Sequence, residues 1–282
     1  MPLTPSILKI DQEETKQKIT RFIKDYVTKT KADGVVLGMS GGIDSCTNAA
    51  LTALSIGGNK TFGLLMFEKE TRNKLDIDHA LQVAEQFKIK TVIINITKLL
   101  NAIYKSIPDF IEANYKAKGN IKARARMLLM YYYANSKNLI VSASSDKSET
   151  MIGYYTKHGD IAADIAPQQD LYKTQVRQLA KHVGIPDAII EKPSTPALWP
   201  DQTAEKEIGI PYEKLDLILY GLEHFMEASQ IAEHLEVPIK TVDSIKKRWL
   251  GTEHKRRLPL APKLGFRTVG KDFRLPYDVE VE

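Results

Sequence analysis

Apolar residues follow two rhythms along this chain of 282 residues. Short, continuous apolar runs at residues 34–39, 61–66, 91–96 and 138–143 read as buried strands. Elsewhere apolar positions recur every three or four residues, as in Ile19, Phe22, Ile23, Tyr26 and Val27, or in Ala80, Leu81, Val83, Ala84 and Phe87. That spacing predicts amphipathic helices. Asp11 and Glu14 fit a capping pattern at the start of the first. Further helices are expected at 46–54, 98–117 and 120–136, the last two broken by Pro108 and Gly119. From about residue 174 the pattern is mostly helical, apart from a Pro-rich loop at 192–200. A helix opening at Asp170 carries the apolar stripe Val176, Leu179, Ala180 and Val183.

Strands alternating with helices predict an α/β, Rossmann-like fold: a parallel sheet with helices on both faces, followed by a mostly helical C-terminal portion. No repeat, low-complexity tract or linker divides the chain, so residues 1–282 are expected to form a single domain. Ligands of such sheets gather outside the carboxyl ends of the strands. The candidate chemistry follows Met39, Met66 and Ala143, each at an expected strand end.

Composition narrows the class. Hydrophobic content of 43% and charged content of 27% are those of a globular protein. A net charge of +5 suits anionic ligands without requiring a polyanionic partner. Cys46 is the sole cysteine, so no intrachain disulfide can form. No run approaches membrane-span length and the N-terminus lacks a basic–apolar leader, which makes the cytoplasm the expected address.

The most informative stretch is Ser40-Gly-Gly-Ile-Asp-Ser45, between the first strand and a helix. Gly41 and Gly42 let an anion approach the backbone, and the helix start adds N–H groups and a favourable dipole. Asp44 makes sense in an anion site only if a cation bridges it to the ligand. The loop therefore reads as a Mg²⁺–polyphosphate site. It lacks the Lys-Ser/Thr that closes a common P-loop. Its bland alternative is a strand-to-helix turn that needs small residues.

Other candidates are weaker singly. Arg124 and Arg126 lie two apart, so they do not share one helix face and at least one should be free for a ligand; helix arginines are most often solvated. Glu149 follows the fourth strand and could join Asp44 on one Mg²⁺. Lys157 and Asp160 flank a Gly-containing turn. Lys173 sits in a first helical turn, a poor place for a cation, which hints at a nearby anion. His254-Lys255-Arg256-Arg257 is a basic cluster that by default is solvated.

Taken in order, Ser40–Ser45, Gly119–Arg124, Lys147-Ser-Glu149, Thr156–Asp160, Leu171–Val176, Leu198–Thr203 and His254–Arg256 resemble the NAD⁺ synthetase family, whose first motif is an ATP-pyrophosphatase loop. The resemblance runs from the opening helix to about Pro262. It implies an ammonia-dependent ligase with ATP as co-substrate and Mg²⁺ as cofactor. Deamido-NAD (nicotinic acid adenine dinucleotide) would attack the ATP α-phosphate through its carboxylate, releasing pyrophosphate; ammonia would then displace AMP to give NAD⁺. By matching position, Gly38, Met39, Ser40, Gly41, Gly42, Ile43, Asp44, Ser45, Ser144, Lys173 and Thr195 would bind ATP. Asp44 and Glu149 would hold the metal, and Arg124, Lys157, Asp160, His254 and Lys255 would bind deamido-NAD. The resemblance also implies a homodimer whose dinucleotide site draws on both subunits.

The chain departs from the family pattern at Ala143-Ser144 for Gly-Thr, at Ala204 for an Asp, and at residues 67–72 for a Pro and small polar residues. No region able to hydrolyse glutamine is present, so ammonia is expected free or delivered by a separate protein. Rival readings are another ATP-pyrophosphatase, acting on xanthosine monophosphate or tRNA, and a catalytically weakened member. Residues 229–249 also mimic a helix-turn-helix; two short helices packed through Ile231, Ala232, Leu235, Val242 and Ile245 explain that pattern without nucleic acid, and none is expected as a partner.

Overall fold

A computed structural model describes residues 2–71 and 73–275. Arg72, the end of the divergent segment, and residues 276–282 of the expected domain lie outside the described residues. Four strands, β1 (Gly34–Gly38), β2 (Thr61–Phe67), β3 (Lys90–Asn95) and β4 (Leu139–Ser142), form one parallel sheet in the order β3-β2-β1-β4. Side chains alternate across it. Val35 and Leu37 face a core built with α1 (Gln12–Lys29), α2 (Ile43–Ile56), α3 (Lys74–Gln86) and α7 (Lys173–His182). Val36, Leu64 and Val141 face the other side, with Met130 and Ala134 of α5 (Tyr115–Lys137). The helix α4 (Thr97–Ser106) packs against α5 through Leu100, Tyr104 and Ala125. The expected α/β sheet with helices on both faces is thus the observed one.

Several expected boundaries move for local reasons. Asp11 caps α1 by accepting from the Glu14 N–H at 2.9 Å, but no reciprocal bond from Glu14 completes a box. Strand β4 ends at Ser142, because the Ala143 N–H turns away to donate to Ile165 O at 2.9 Å. Gly119 does not break a helix; α5 runs through it. A Cβ there would lie 3.1 Å from Leu198 and 3.2 Å from Trp199, so the missing side chain lets the Pro-rich loop lie on α5. Helix α7 begins at Lys173, where Gln175 accepts from the Tyr172 N–H at 2.9 Å.

The remaining elements are helical: α6 (Lys147–Ile152), α8 (Asp187–Ile190), α9 (Ala204–Ile208), α10 (Tyr212–Glu223), α11 (Ala228–Leu235), α12 (Ile239–Gly251) and α13 (Glu253–Arg256). Helices α6, α10, α11 and α12 share a second core with Leu3 and Leu8. Ile231, Ala232, Leu235, Val242 and Ile245 are buried in it, so the helix-turn-helix pattern is met by packing. Among the described residues no helix is long and apolar enough to cross a membrane.

Candidate active site

A cleft of about 660 Å³ opens beyond the carboxyl ends of β1, β2 and β4. Its floor includes Gly38, Met39 and Ser40, then Gly42 to Ser45 at the start of α2. The Ser45 hydroxyl organises this turn. It accepts from the Ser40 N–H at 3.2 Å and donates to Gly42 O at 3.0 Å. The first N–H groups of α2 have no acceptor within the helix and so remain available to an anion.

The two glycines differ in role. Gly41 has φ +78°, and a Cβ on it would stand 1.9 Å from the Asp76 carbonyl oxygen, so the close approach of α3 demands it. Gly41 does not line the cleft, whereas Gly42 does. A Cβ on Gly42 would meet only the Ser40 hydroxyl, at 3.5 Å, so its bareness serves the space above the turn.

Beside the turn lies a compact ionic centre. The Lys173 ammonium, wholly buried, is 2.6 Å from Asp44, 2.8 Å from Asp146 and 3.0 Å from Glu149. These three carboxylates lie within 4.8 Å of one another. Asp146 caps α6 through the Glu149 N–H at 2.7 Å. Burial opposes the charge on Lys173, but Asp146, Asp44 and Glu149 outweigh it and hold its ammonium well above the ordinary lysine range. Burial also raises Glu149 well above the usual carboxylate range, Lys173 opposing and Asp146 and Asp44 adding to the rise. Fully ionised, the trio would carry two negative charges beyond its one ammonium, an excess that disfavours the charge on Glu149. The Asp44 Oδ1 atom is buried with no hydrogen-bond partner, while Asp44 and Glu149 keep about a fifth of their side chains exposed. These oxygens suit a hard divalent cation.

Across the cleft, α5 contributes Asn120, Ala123, Arg126 and Met130. The buried Lys122 pairs with Glu68 at 2.6 Å and Glu70 at 3.3 Å and donates to Leu198 O at 2.8 Å. It thereby ties α5 to the segment after β2 and to the Pro-rich loop. Lys192, from that loop, lines the cleft, donates to Gly41 O at 3.4 Å and pairs with Asp76. Lys255 donates to Gly153 O and Tyr155 O, both at 2.6 Å. Glu207 accepts from Tyr154 at 2.5 Å and Gln202 at 2.9 Å. A cleft that joins free helix N–H groups, lysines and a carboxylate centre is equipped for polyphosphate chemistry.

Residues 15–259 match the family model described as NAD synthase. This chain belongs to the NAD synthase family. Relatives named NH(3)-dependent NAD(+) synthetase include one from Methanocaldococcus jannaschii, 44% identical over 256 residues, spanning 89% of this chain and 97% of that protein. One from Thermococcus sibiricus is 41% identical over 90% of this chain and 99% of its own length. Among solved structures, the NMN synthetase of Francisella tularensis superposes with a TM-score of 0.80 at 32% identity, covering 91% of this chain and all of that one. The NH3-dependent NAD synthetase of Campylobacter jejuni gives 0.75 at 29% identity, over 90% of this chain and all of that one.

Within this NAD synthase fold the residues expected for ATP divide. Gly38, Met39, Ser40, Gly42, Ile43, Asp44, Ser45, Ser144 and Thr195 line the cleft, as does Glu149. The Ser144 hydroxyl accepts from Asn48 at 3.2 Å, and Thr195 donates to Gln202 O at 2.5 Å. Lys173 is absent from the lining, enclosed behind the carboxylates; the anions implied by its position are side chains of the chain itself. Of the residues expected for deamido-NAD, Asp160 and Lys255 line the cleft, but Arg124, Lys157 and His254 do not. Arg124 is exposed and donates to Lys157 O at 3.2 and 3.3 Å.

Of the two helix arginines raised from the sequence, Arg126 rather than Arg124 faces the cleft, while Asp146 and Lys192 carry weight that the sequence did not suggest. Asp146 begins the helix holding Glu149, an N-cap signal that a closer reading of Ser145-Asp146-Lys147-Ser148-Glu149 contains. Nothing in one sequence places Lys192 over the turn, since that contact crosses 151 residues.

Proposed function

We propose that this protein makes NAD⁺ from deamido-NAD, ATP and ammonia, through an adenylated carboxylate, with AMP and pyrophosphate released. The observation that carries this reading is the adjoining of the Ser40–Ser45 turn to the Asp44–Asp146–Glu149–Lys173 centre at the strand ends. A carboxylate acylates poorly until AMP gives it a leaving group. Departure of pyrophosphate needs charge neutralisation above all, which helix N–H groups and cations provide.

Asp44 and Glu149 would hold Mg²⁺, with Asp146 and Lys173 setting their orientation. The metal, when bound, supplies Lewis-acid neutralisation of the phosphate oxygens. The turn at 40–45 orients the β- and γ-phosphates, and the wall formed by Leu64 to Phe67 accommodates the nucleoside. Cys46 is fully buried and its thiol is pushed up to about 12 by desolvation, so it offers no nucleophile for glutamine hydrolysis. Ammonia is the proposed nitrogen source, as the names of the NH(3)-dependent relatives suggest, and the cytoplasm is the proposed location.

A second copy of the chain is the proposed partner. Leu128 and Tyr132 of α5 are 58% and 65% exposed, on the helix that also carries Arg124. A dinucleotide reaching across a two-fold axis would meet Arg124, Lys157 and His254, which lie outside the cleft of one subunit.

The test is product analysis with ATP, Mg²⁺, ammonium and each acid in turn. Deamido-NAD should yield AMP and NAD⁺ in equal amounts, while xanthosine monophosphate and tRNA should not consume ATP, and glutamine should not replace ammonium. Because the Francisella relative is an NMN synthetase, nicotinate mononucleotide belongs in the comparison; a clear preference for it would overturn the dinucleotide reading.

A further inference from the structure

Helix α5 turns one face to the cleft through Asn120, Ala123, Arg126 and Met130. The Met130 sulfur would be 3.7 Å from a Cβ on Gly38, just before the phosphate turn. Arg126, one helical turn earlier, lines the same cleft.

Its neighbours are already engaged. Glu68 is held by Lys122 at 2.6 Å, and Asp160 accepts from the Thr156 N–H at 2.8 Å. Arg124 spends its guanidinium on Lys157 O outside the cleft. Among the described residues the Arg126 guanidinium makes no hydrogen bond or ion pair, though Glu68 and Asp160 are close enough to attract it. Desolvation by the surrounding protein disfavours its charge, Glu68 and Asp160 opposing, yet a guanidinium does not give up its proton. A half-buried guanidinium that faces a cleft without a partner is poorly compensated, and an arriving anion relieves that cost.

We infer that Arg126 binds the carboxylate that ATP activates, and so distinguishes the acid substrate from its amide product. This rests on the proposed amidation reaction. Acid and amide dinucleotides share every phosphate, so only a contact to the reacting group separates them. The acid offers two anionic oxygens to the guanidinium fork; the amide offers one neutral carbonyl oxygen and an NH₂ that faces donor with donor. Amidation thus removes the partner of Arg126 and favours product release, by the same penalty that rejects analogues lacking a required group.

Calorimetry on full-length protein with Mg²⁺ and α,β-methylene ATP tests this. Wild type should bind deamido-NAD more tightly than NAD⁺. Arg126→Met should weaken deamido-NAD by roughly 30-fold or more, the cost of stripping one member from a buried charge pair, while NAD⁺ and the ATP analogue change by less than about 3-fold. Arg126→Lys keeps the charge, lost only in its fork, and should recover part of the acid preference. An unchanged deamido-NAD affinity in a folded Arg126→Met protein overturns the inference, as does equal weakening of NAD⁺, which would assign the arginine to a phosphate. Weakening of the ATP analogue alone also overturns it. If wild type bound neither dinucleotide, the amidation reading would fail, and this inference with it.

Discussion

Replacing Lys173 by Met should cost the protein a large part of its stability, because one ammonium holds three carboxylates together. At an effective dielectric of about 20, each contact of 2.6–3.0 Å is worth about 6 kcal/mol, and each pair of ionised carboxylates, lying within 4.8 Å, repels by at least about 3.5 kcal/mol. With Lys173 attraction outweighs repulsion; without it only repulsion is left. Proton uptake by Asp146 and Glu149 limits the damage, so the measured loss should approach that for breaking a buried pair, about 3–5 kcal/mol. For a chain of this size that is a fall in Tm of roughly 6–20 °C. Urea denaturation followed by circular dichroism, with and without millimolar Mg²⁺, is the assay. Added Mg²⁺ should restore part of the loss, since a divalent cation answers the same oxygens. Lys173→Met within about 0.5 kcal/mol of wild type would refute the reasoning, since that is the range of an ordinary surface substitution.

The glycine pair should separate fold from ligand. Gly41→Ala should destabilise the protein by at least about 1 kcal/mol, from the left-handed backbone and the clash with Asp76 O, whereas Gly42→Ala should melt like wild type but bind ATP more weakly in calorimetry. Burial lifts the Asp216 carboxyl to about 7, against bonds from Ser148 and the Thr174 N–H. Unfolded, it releases its proton near pH 4, so the stability it contributes is full below about pH 4 and drains away as pH rises to about 7, by about 4 kcal/mol. Asp216→Asn should flatten that part of the stability–pH curve, measured by urea titration. Cys46→Ala should leave ammonium-dependent kcat within about 3-fold of wild type, because the thiol has no chemical role; loss of turnover without loss of fold would contradict this.

The sheet was legible because each strand is a short apolar run bounded by polar residues, a pattern that Val35, Val36 and Leu37 meet by facing both layers at once. The phosphate turn was legible because its residues are contiguous. Helix boundaries were less so: Gly119 reads as a breaker by propensity, but its purpose is set by Leu198 and Trp199, some eighty residues on. Lys173 illustrates the same gap inside the site. Its awkward place in a helix start announced an anion, yet whether that anion was phosphate or carboxylate depended on Asp44 and Asp146 arriving from other segments. Arg124 and Arg126 differ by two positions in sequence; which of them faces the cleft follows from the rotation of α5 against β1, and that is a tertiary fact.

The fate of one oxygen atom tests the proposed reaction most directly. Deamido-NAD carrying ¹⁸O in its carboxylate, turned over with ATP, Mg²⁺ and ammonium, should pass one labelled oxygen into the phosphate of AMP, read by mass spectrometry. AMP free of label, or label recovered in inorganic phosphate alongside ADP, would contradict attack by the carboxylate at the α-phosphate.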